Sequence, residues 1–113
     1  MELKVRRIIL FTRKMDAMTA FYRDVIGLKP AGRDEGWIDF DSGACHIALH
    51  AGGGVPGKRP PKICFHASDV AAARALLIKR GAIGLGAVHS TARFDMCDGK
   101  DPDGNPYSIS SRP

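Results

Sequence analysis

The chain repeats one order of predicted elements twice, and this repeat restricts its fold more than any single motif. Module one, residues at about 3–50, predicts the order βαβββ, and module two, residues at about 62–110, predicts it again. The modules align at the spacing that separates Arg7 from Lys62, and the glycine- and proline-rich residues 51–61 predict a linker between them. We therefore expect one α+β domain over all 113 residues. Each module should form a half-sheet with its helix on one face, which leaves the other face free to form a cleft.

A strand followed by a helix opens each module. The first strand is predicted over residues 5–12, and four apolar residues recur at helical spacing after it. Asp16 is the expected N-cap of this helix, and Gly27 is the expected stop. In module two, Asp69 is expected at the start of a helix that runs to Gly81. The apolar stripe of the first helix consists of Met18, Phe21, Tyr22 and Val25.

Short runs of alternating or β-branched residues predict the other strands. These strands are residues 29–33, 37–41 and 44–50 in module one, and 62–67, 83–88, 92–97 and 105–110 in module two. The last strand follows residues 100–106, where Pro102 fixes one dihedral angle and Gly104 is free to adopt a positive φ. This segment predicts a tight turn, so we expect structural roles for Asp101 and Asp103.

Charge and cysteine content exclude several classes of function. The net charge of +5 favours anionic partners, but the cations are scattered and few aromatic residues are available for base stacking, so we expect no nucleic-acid partner. Three cysteines without a C-x-x-C pair indicate neither a disulfide framework nor a zinc knuckle. No apolar run is long enough for a membrane span or a signal peptide. We therefore expect a cytoplasmic protein with no membrane partner.

Three segments of the chain resemble one family. Residues 15–28 are similar to a helix that ends in the pattern F-Y-x-x-x-L-G, residues 65–70 open the second unit, and residues 101–106 precede the last strand. Together they resemble the vicinal oxygen chelate superfamily, which includes glyoxalase I, bleomycin-resistance proteins and extradiol dioxygenases. The resemblance spans about Val5 to Ile109 and implies a cupped eight-stranded mixed sheet with helices on its convex face. It also implies a homodimer, with the cleft formed within one chain or across two.

The resemblance further implies four positions that bind a metal ion in metal-dependent members, through His, Glu or Gln. In this chain the four positions hold Arg7, Ala48, Lys62 and Ser108. None is a good ligand, and Arg7 and Lys62 would repel a divalent cation. We therefore expect neither a metal site nor another cofactor. A divalent metal stays open as the alternative, if the true alignment of these positions differs.

Alternation along the strands assigns residues to the two faces of each half-sheet. If Arg7 and Lys62 face the cleft, the helix-facing residues are all apolar or aromatic, which supports the assignment. The helix-facing set is Ile8, Leu10, Ile47, Leu49, Ile63, Phe65, Tyr107 and Ile109. The cleft-facing set is Arg7, Ile9, Phe11, His46, Ala48, His50, Lys62, Cys64, His66, Ser108 and Ser110.

Permanent cations, imidazoles and hydroxyls in one cleft suit a small anionic ligand. His66 or His50 is the candidate general base, because an ordinary imidazole titrates near neutral pH. Two structural alternatives stay open. In the first alternative, Arg7 and Lys62, which begin their strands, are simply solvated at the rim of the cleft. In the second, Cys64 packs in the core beside His66.

Two classes of function follow. The first is metal-independent binding of a small, anionic organic molecule, and the second is a lyase or isomerase of the glyoxalase type that acts on a small oxyanion substrate. A dioxygenase-type or metal-dependent enzyme follows if the metal positions are aligned differently. Because no pair of base and orienting residue is evident in the sequence, binding is the preferred prediction. The predicted ligand contacts are Arg7, Phe11, His46, Ala48, Lys62, Cys64 and Ser108.

Drug sequestration is a third possibility, since bleomycin-binding relatives resemble an acidic cup for a cationic drug. The basic charge of this chain argues against that particular drug. It does not argue against sequestration of another small molecule.

Overall fold

The computed structural model describes residues 1–53 and 57–113, and it forms two compact units, Met1–Val55 and Pro56–Pro113. These units correspond to the two predicted modules. Residues 54–56 of the predicted linker lie outside the described residues. None of the described helices combines the length and the apolar composition needed to cross a membrane.

Module one contains a four-stranded mixed sheet. Its strands are β1 (Arg7–Thr12), β2 (Lys29–Asp34), β3 (Trp37–Asp41) and β4 (His46–Ala51), in the spatial order β1-β4-β3-β2. Strand β1 runs parallel to β4, while the β2–β3 and β3–β4 pairs are antiparallel. Since the chain passes through a helix and two other strands between β1 and β4, it has room to return for the parallel pairing.

Helix α1 of module one spans Met15–Ala20 and continues as a π-helical turn, Phe21–Val25. The prediction that Asp16 caps this helix is wrong, because the helix already begins at Met15 and Lys14 occupies the N-cap position, two residues before Asp16. The hydroxyl of Thr12 accepts a hydrogen bond from the backbone N–H of Lys14 at 2.9 Å and so organises the start. The predicted apolar stripe is confirmed: Met18, Phe21, Tyr22 and Val25 are all buried.

The helix of module one ends where the sequence predicts. Ile26 donates its backbone N–H to the carbonyl of Phe21 at 3.0 Å, five residues back, which is the bond of a π-turn. Gly27 follows with a φ of 87°, a conformation that glycine adopts without strain. The chain then turns into β2.

Module two forms a second four-stranded mixed sheet with the same connectivity. Its strands are β5 (Ile63–His66), β6 (His89–Ser90), β7 (Asp95–Lys100) and β8 (Pro106–Ser110), in the spatial order β5-β8-β7-β6. Strand β5 runs parallel to β8, and the other pairs are antiparallel. The protein is therefore an α+β fold of two four-stranded mixed sheets, as the repeat predicts.

Helix α2 (Val70–Lys79) crosses from β5 toward the other strands of module two, and its predicted start is confirmed. The carboxylate of Asp69 accepts the backbone N–H of Ala72 at 2.9 Å and caps the helix. Gly81, after the helix, has a φ of 107°. Gly81 therefore follows the end of its helix in a positive-φ conformation, as Gly27 does in module one.

The predicted strand over residues 83–88 is wrong, since this segment has no regular structure. Gly84 has a φ of 71°, which interrupts an extended conformation. Arg74 of α2 donates hydrogen bonds to the carbonyls of Leu85 and Gly86, at 3.2 and 2.6 Å. Two carbonyl groups that could accept hydrogen bonds from a neighbouring strand are therefore bonded to Arg74 instead. The second strand of module two is instead the two-residue β6.

The turn before β8 is confirmed as a structural element. Gly104 has a φ of 86° and donates its backbone N–H to the carbonyl of Asp101 at 2.9 Å. The carboxylate of Asp101, only 4% exposed, accepts the backbone N–H groups of Asp103 and Asn105 and the side-chain amide of Asn105. Asp101 thus satisfies the backbone of the turn that delivers β8.

Burial supports much of the predicted helix-facing set. Ile47, Leu49, Tyr107 and Ile109 are each at most 4% exposed, and their strands contact the helices of their own modules. Ile8 departs from this pattern and is 37% exposed, since β1 is the edge strand of its sheet.

The cores of the two sheets place their large side chains on different strands. In module one, Phe40 of β3 is fully buried opposite Ile47 of β4. In module two, Gly99 of β7 lies opposite Tyr107 of β8. A Cβ atom on Gly99 would lie 2.6 Å from the hydroxyl oxygen of Tyr107, so the tyrosine ring occupies the space above the glycine.

Candidate functional site

Strand pairing brings the predicted residues of module one onto one face of its sheet, here called the front face of module one. In the pairing of β1 with β4, Arg7 lies beside His46, and Phe11 beside His50. In the pairing of β4 with β3, Ala48 lies beside Asp39. The front face consists of Arg7, Ile9, Phe11, Trp37, Asp39, Asp41, His46, Ala48 and His50.

Asp39 is the centre of an ionic cluster on this face. Its Oδ1 accepts a hydrogen bond from Nε of Arg7 at 3.1 Å, and its Oδ2 accepts one from Nη2 of Arg7 at 3.4 Å and lies 2.7 Å from Nδ1 of His46. Side-chain exposure is 10% for Asp39, 21% for His46 and 31% for Arg7. Both partners are therefore held by an acid that is itself nearly buried.

The pKa of Asp39 reflects two opposing influences. Burial raises the pKa of its carboxyl group, but the hydrogen bonds and charges of Arg7 and His46 outweigh burial and hold the pKa below its ordinary value. Asp39 is therefore ionised at neutral pH and acts only as a hydrogen-bond acceptor.

Three rings lie next to the ionic cluster and form the aromatic row: Phe11, His50 and Trp37. The centroid of the His50 ring is 5.1 Å from that of Phe11 and 5.9 Å from that of Trp37. The guanidinium carbon of Arg7 lies 5.5 Å from the centroid of Trp37, which is a cation–π distance. Phe11 is 54% exposed, so the row presents an apolar surface beside a cation.

The corresponding surface of module two, here called its front face, carries different chemistry. Cys64 of β5, Ser108 of β8 and Asp98 of β7 are neighbours across the sheet, and Lys62 precedes β5. Nζ of Lys62 bonds Asp98 at 2.9 Å, and both side chains are nearly half exposed, at 46% and 48%. The face continues with His66, Ser110 and Met96.

The structure thus distributes the predicted site residues over the two front faces. Arg7 and Lys62, predicted as cations for a ligand, each already bond a carboxylate. Ala48 and Ser108 lie deep, at 0% and 3% exposure, while Phe11 is open.

Asp39 and Trp37 are the functional candidates that the sequence prediction left unassigned. The sequence does contain a signal for these two residues. Ile38 and Phe40, which are both buried, alternate along the strand with Trp37, Asp39 and Asp41. Assigning Ile38 and Phe40 to the helix side would have placed the other three residues on the front face.

The four positions that the family resemblance implies for a metal do not fit one here. Arg7 and Lys62 are cations in ion pairs, Ala48 has no donor atom, and Ser108 offers only a neutral hydroxyl. Within residues 1–53 and 57–113, no three His, Cys, Asp or Glu side chains are grouped so that they could hold an ion. The side chains present at these positions lack the donors that a divalent cation needs.

Comparison with solved structures shows which proteins share this fold. A glyoxalase/bleomycin resistance protein/dioxygenase from Nocardioides matches with a TM-score of 0.83 at 16% identity, over 97% of this chain and 83% of that protein. Lactoylglutathione lyase from Agrobacterium tumefaciens matches with a TM-score of 0.75 at 22% identity, over 94% and 91% of the two chains. An antibiotic-binding protein from a Streptomyces species matches with a TM-score of 0.75 at 19% identity, over 96% and 94%. At these identities the likeness concerns the fold.

A comparison with curated proteins finds no match. The family comparison is specific, because the model described as Glyoxalase/Bleomycin resistance protein/Dioxygenase superfamily matches residues 4–109. This range includes every helix and strand described above except Ser110, the last residue of β8. The resemblance seen in the sequence motifs is therefore confirmed, and the protein belongs to the glyoxalase/bleomycin resistance protein/dioxygenase superfamily.

Proposed function

We propose that this protein binds a small, planar organic acid at the front face of module one, without the help of a metal ion. The observation that carries the proposal is the aromatic row beside Arg7. Phe11, 54% exposed, gives a planar ligand an apolar surface to cover. The guanidinium of Arg7 gives the acidic group of that ligand a charged donor.

Charge supports an acid over a cation as the ligand. The chain carries a net charge of +5. Arg7 uses Nε and Nη2 on Asp39, and in the described part of the chain no residue bonds its Nη1. A carboxylate at that edge would therefore meet N–H donors that are already oriented by Asp39. His46 and Ala48 complete the proposed contacts in module one, and Lys62, Cys64 and Ser108 stay sequence-based predictions of contacts from module two.

The proposed independence from metal rests on the side chains at the four implied positions, which do not fit a divalent ion. We expect purified protein to contain no stoichiometric metal. We also expect its melting temperature to stay unchanged when nickel, zinc, manganese or iron is added, because a metal that binds only the folded state would raise it. Stoichiometric metal, or a clear rise in melting temperature with one of these ions, would restore the metal-dependent enzyme as the function.

Ligand binding can be measured directly, because Trp37 is the only tryptophan and lies in the proposed site. The probe is benzoate, with benzamide as its neutral analogue of the same shape. We expect saturable quenching of Trp37 fluorescence by benzoate and about tenfold weaker binding of benzamide, since one charge-assisted hydrogen bond contributes on the order of 1.5 kcal/mol.

Matched variants separate the proposed site from general electrostatics. Arg7→Ala should weaken benzoate binding by about tenfold, whereas Lys58→Ala, which removes an equal charge outside the front faces, should leave it within about twofold. Equal binding of benzoate and benzamide, or equal losses in the two variants, would contradict the proposal.

A homodimer and a cytoplasmic location belong to the same proposal. Strand β1 is the edge of its sheet, and its residues Ile8, Ile9 and Phe11 are 37%, 44% and 54% exposed. An edge strand with exposed apolar residues is a surface on which a second chain can pair. Three free cysteines are consistent with a reducing compartment. Sedimentation equilibrium tests the dimer, and a monomer at all measured concentrations would contradict it.

A lyase or isomerase is the second candidate function. It is favoured by one observation, the contact between His46 and Asp39, which supplies the pair of base and orienting residue that the sequence alone did not reveal.

A further inference from the structure

We propose that His46 is a general base, held in its reactive tautomer by Asp39, and that it moves a proton on carbon in an organic acid bound at the front face of module one. The inference rests on the proposed function, because the acid must first bind beside Arg7. It adds an activity, proton transfer next to a carbonyl group, and assigns it to a histidine predicted only as a ligand contact.

The contact with Asp39 determines which nitrogen of His46 is basic. Asp39 is ionised and has no proton to donate, so the 2.7 Å contact requires Nδ1 of His46 to carry the hydrogen. The lone pair of the neutral ring then lies on Nε2, on the far side of the ring. Among the described residues none bonds Nε2, and the imidazole is 21% exposed. His46 therefore presents an unused acceptor with a fixed orientation.

Arg7 stands beside His46 in the β1–β4 pairing and has two effects on the same chemistry. It bonds Asp39, which helps to keep that carboxylate ionised. Its Nη1 edge is also available to a negative charge that develops on a bound carbonyl oxygen. The charged groups that face His46 from the neighbouring strands are Arg7 on β1 and Asp39 and Asp41 on β3.

The other histidines lack this arrangement. The protein has four histidines, and among described residues only the ring of His46 contacts a carboxylate. Nδ1 of His50 bonds the backbone carbonyl of Ala51 at 2.8 Å, and His50 forms part of the aromatic row. His66 lies on β5 and His89 on the short strand β6. The roles of His50 and His66 as catalysts stay sequence-based predictions, and the geometry favours His46.

The proton-transfer step balances without an oxidant or reductant. Nε2 of His46 takes a proton from the carbon next to the ketone of a bound 2-oxo acid, so the C–H bond breaks and an N–H bond forms. The electron pair of the C–H bond moves into an enolate whose oxygen carries the negative charge. The imidazolium exchanges its proton with solvent and returns one to the same carbon. In heavy water the net result is replacement of hydrogen by deuterium.

The test uses phenylpyruvate, a 2-oxo acid with a planar ring, and the whole 113-residue chain. Quenching of Trp37 fluorescence reports binding, and proton NMR in heavy water reports exchange of the methylene hydrogens. We expect the wild type to accelerate exchange about a hundredfold over buffer, the usual contribution of a positioned base. His46→Gln should reduce exchange to the buffer rate, while phenylpyruvate should still quench Trp37, because glutamine keeps a hydrogen-bonding group at this ligand contact. His89→Gln, the matched control, should leave both quantities unchanged.

Asp39 acts here as a positioning residue, and its test is the tautomer of His46. Nitrogen-15 NMR at about pH 8 distinguishes a ring protonated at Nδ1 from one protonated at Nε2. The wild type should show the Nδ1–H form. Asp39→Asn should lose this preference and slow exchange by tenfold or more, because an amide can donate to Nδ1 and so favour the other tautomer.

The outcomes separate the two proposals. If phenylpyruvate binds but exchange equals that in buffer, or if His46→Gln keeps the wild-type rate, the assignment of His46 is overturned while binding stands. An Nε2–H tautomer in the wild-type protein overturns the assignment independently of any substrate. If neither phenylpyruvate nor benzoate quenches Trp37, the proposed binding site fails and the inference fails with it.

Discussion

The two modules each carry an ion pair at equivalent places, but only in module one is the acid of that pair nearly buried. In module one Arg7 bonds Asp39, and in module two Lys62 bonds Asp98. In each module the cation lies at the start of the first strand, β1 or β5. The acid lies two strands away in the sheet, on β3 or β7. Asp39 is 10% exposed in its side chain, whereas Asp98 is 48% exposed.

The surroundings of the two pairs explain why we assign function to module one. Asp39 has a second partner in His46, and Arg7 lies over Trp37. On the corresponding surface of module two, Asp98 lies beside Ser108. A repeated ion pair is thus not by itself a site. The imidazole and the indole, which module one adds to the ion pair, are the groups on which the proposed ligand site and the proposed base depend.

The cores differ in a second, purely structural way. Module one fills the space between β3 and β4 with Phe40 opposite Ile47, while module two uses Tyr107 above Gly99. The aromatic residue of the pair lies on β3 in module one and on β8 in module two, yet both sheets keep the same strand order. The same strand arrangement is therefore packed by different side chains in the two modules.

Phe40→Ala should have the largest effect of the substitutions considered. The side chain is fully buried, so truncation should reduce the free energy of unfolding by about 3 to 5 kcal/mol in urea denaturation. A loss below about 1 kcal/mol would show that the two cores do not depend on a large residue at this place. In that case the different strand positions of Phe40 and Tyr107 in the two modules would not matter for stability.

Gly99→Ala tests the other half of the core comparison. The new Cβ would overlap the Tyr107 ring, so we expect a loss of about 1 to 3 kcal/mol in the free energy of unfolding. Gly32→Ala is the control in a strand of module one, because a Cβ there meets no atom within 4 Å. Equal effects of the two glycine substitutions would contradict the packing argument.

The ion pairs should differ in their contribution to stability. Asp39→Asn should reduce the free energy of unfolding by about 1 to 2 kcal/mol, since it weakens charge-assisted bonds to both Arg7 and His46. Asp98→Asn should cost less than about 1 kcal/mol, as expected for an exposed pair. Chemical denaturation of both variants is the measurement, and losses of similar size would remove the distinction between the modules.

The contribution of Asp39 should also depend on pH. Its pKa in the folded protein lies below the ordinary 3.8, so the folded state binds fewer protons than the unfolded state near that pH. The stability advantage of the wild type over Asp39→Asn should be complete above about pH 5 and decline as the pH falls through the depressed pKa. Denaturation at pH 7, 5, 4 and 3 measures it. The difference between wild type and Phe40→Ala, which removes no titratable group, should stay nearly constant.

The sequence predicted those parts of the fold that depend on local patterns. The helix stripe around Met18, the cap at Asp69 and the turn at Gly104 all follow from residue type and spacing. The prediction of a strand over residues 83–88 failed for two reasons, the positive φ of Gly84 and the hydrogen bonds of Arg74 to the carbonyls of Leu85 and Gly86. The glycine can be recognised in the sequence, but the bonds made by Arg74 cannot.

Strand alternation predicted which candidate residues share a face, but not which of them form pairs. Alternation placed Arg7, His46 and Phe11 on one face, and the strand register agrees with this. The partner of Arg7 lies 32 positions further along the chain, so Asp39 could be identified only once the order of strands β1, β4 and β3 was known. To judge whether a charged residue on such a face is available to a ligand, its ion-pair partner must be known as well as its own charge.

The π-helical turn at Phe21–Val25 accounts for a difference in length between the two copies of the repeat. The first residues of the two helices, Met15 and Val70, are 55 positions apart, but Gly27 and Gly81, the glycines that follow them, are 54 apart. The first copy therefore holds one residue more between these points. A hydrogen bond that reaches back five residues instead of four accommodates a single inserted residue. The π-turn therefore takes up the additional residue of module one before the chain enters β2.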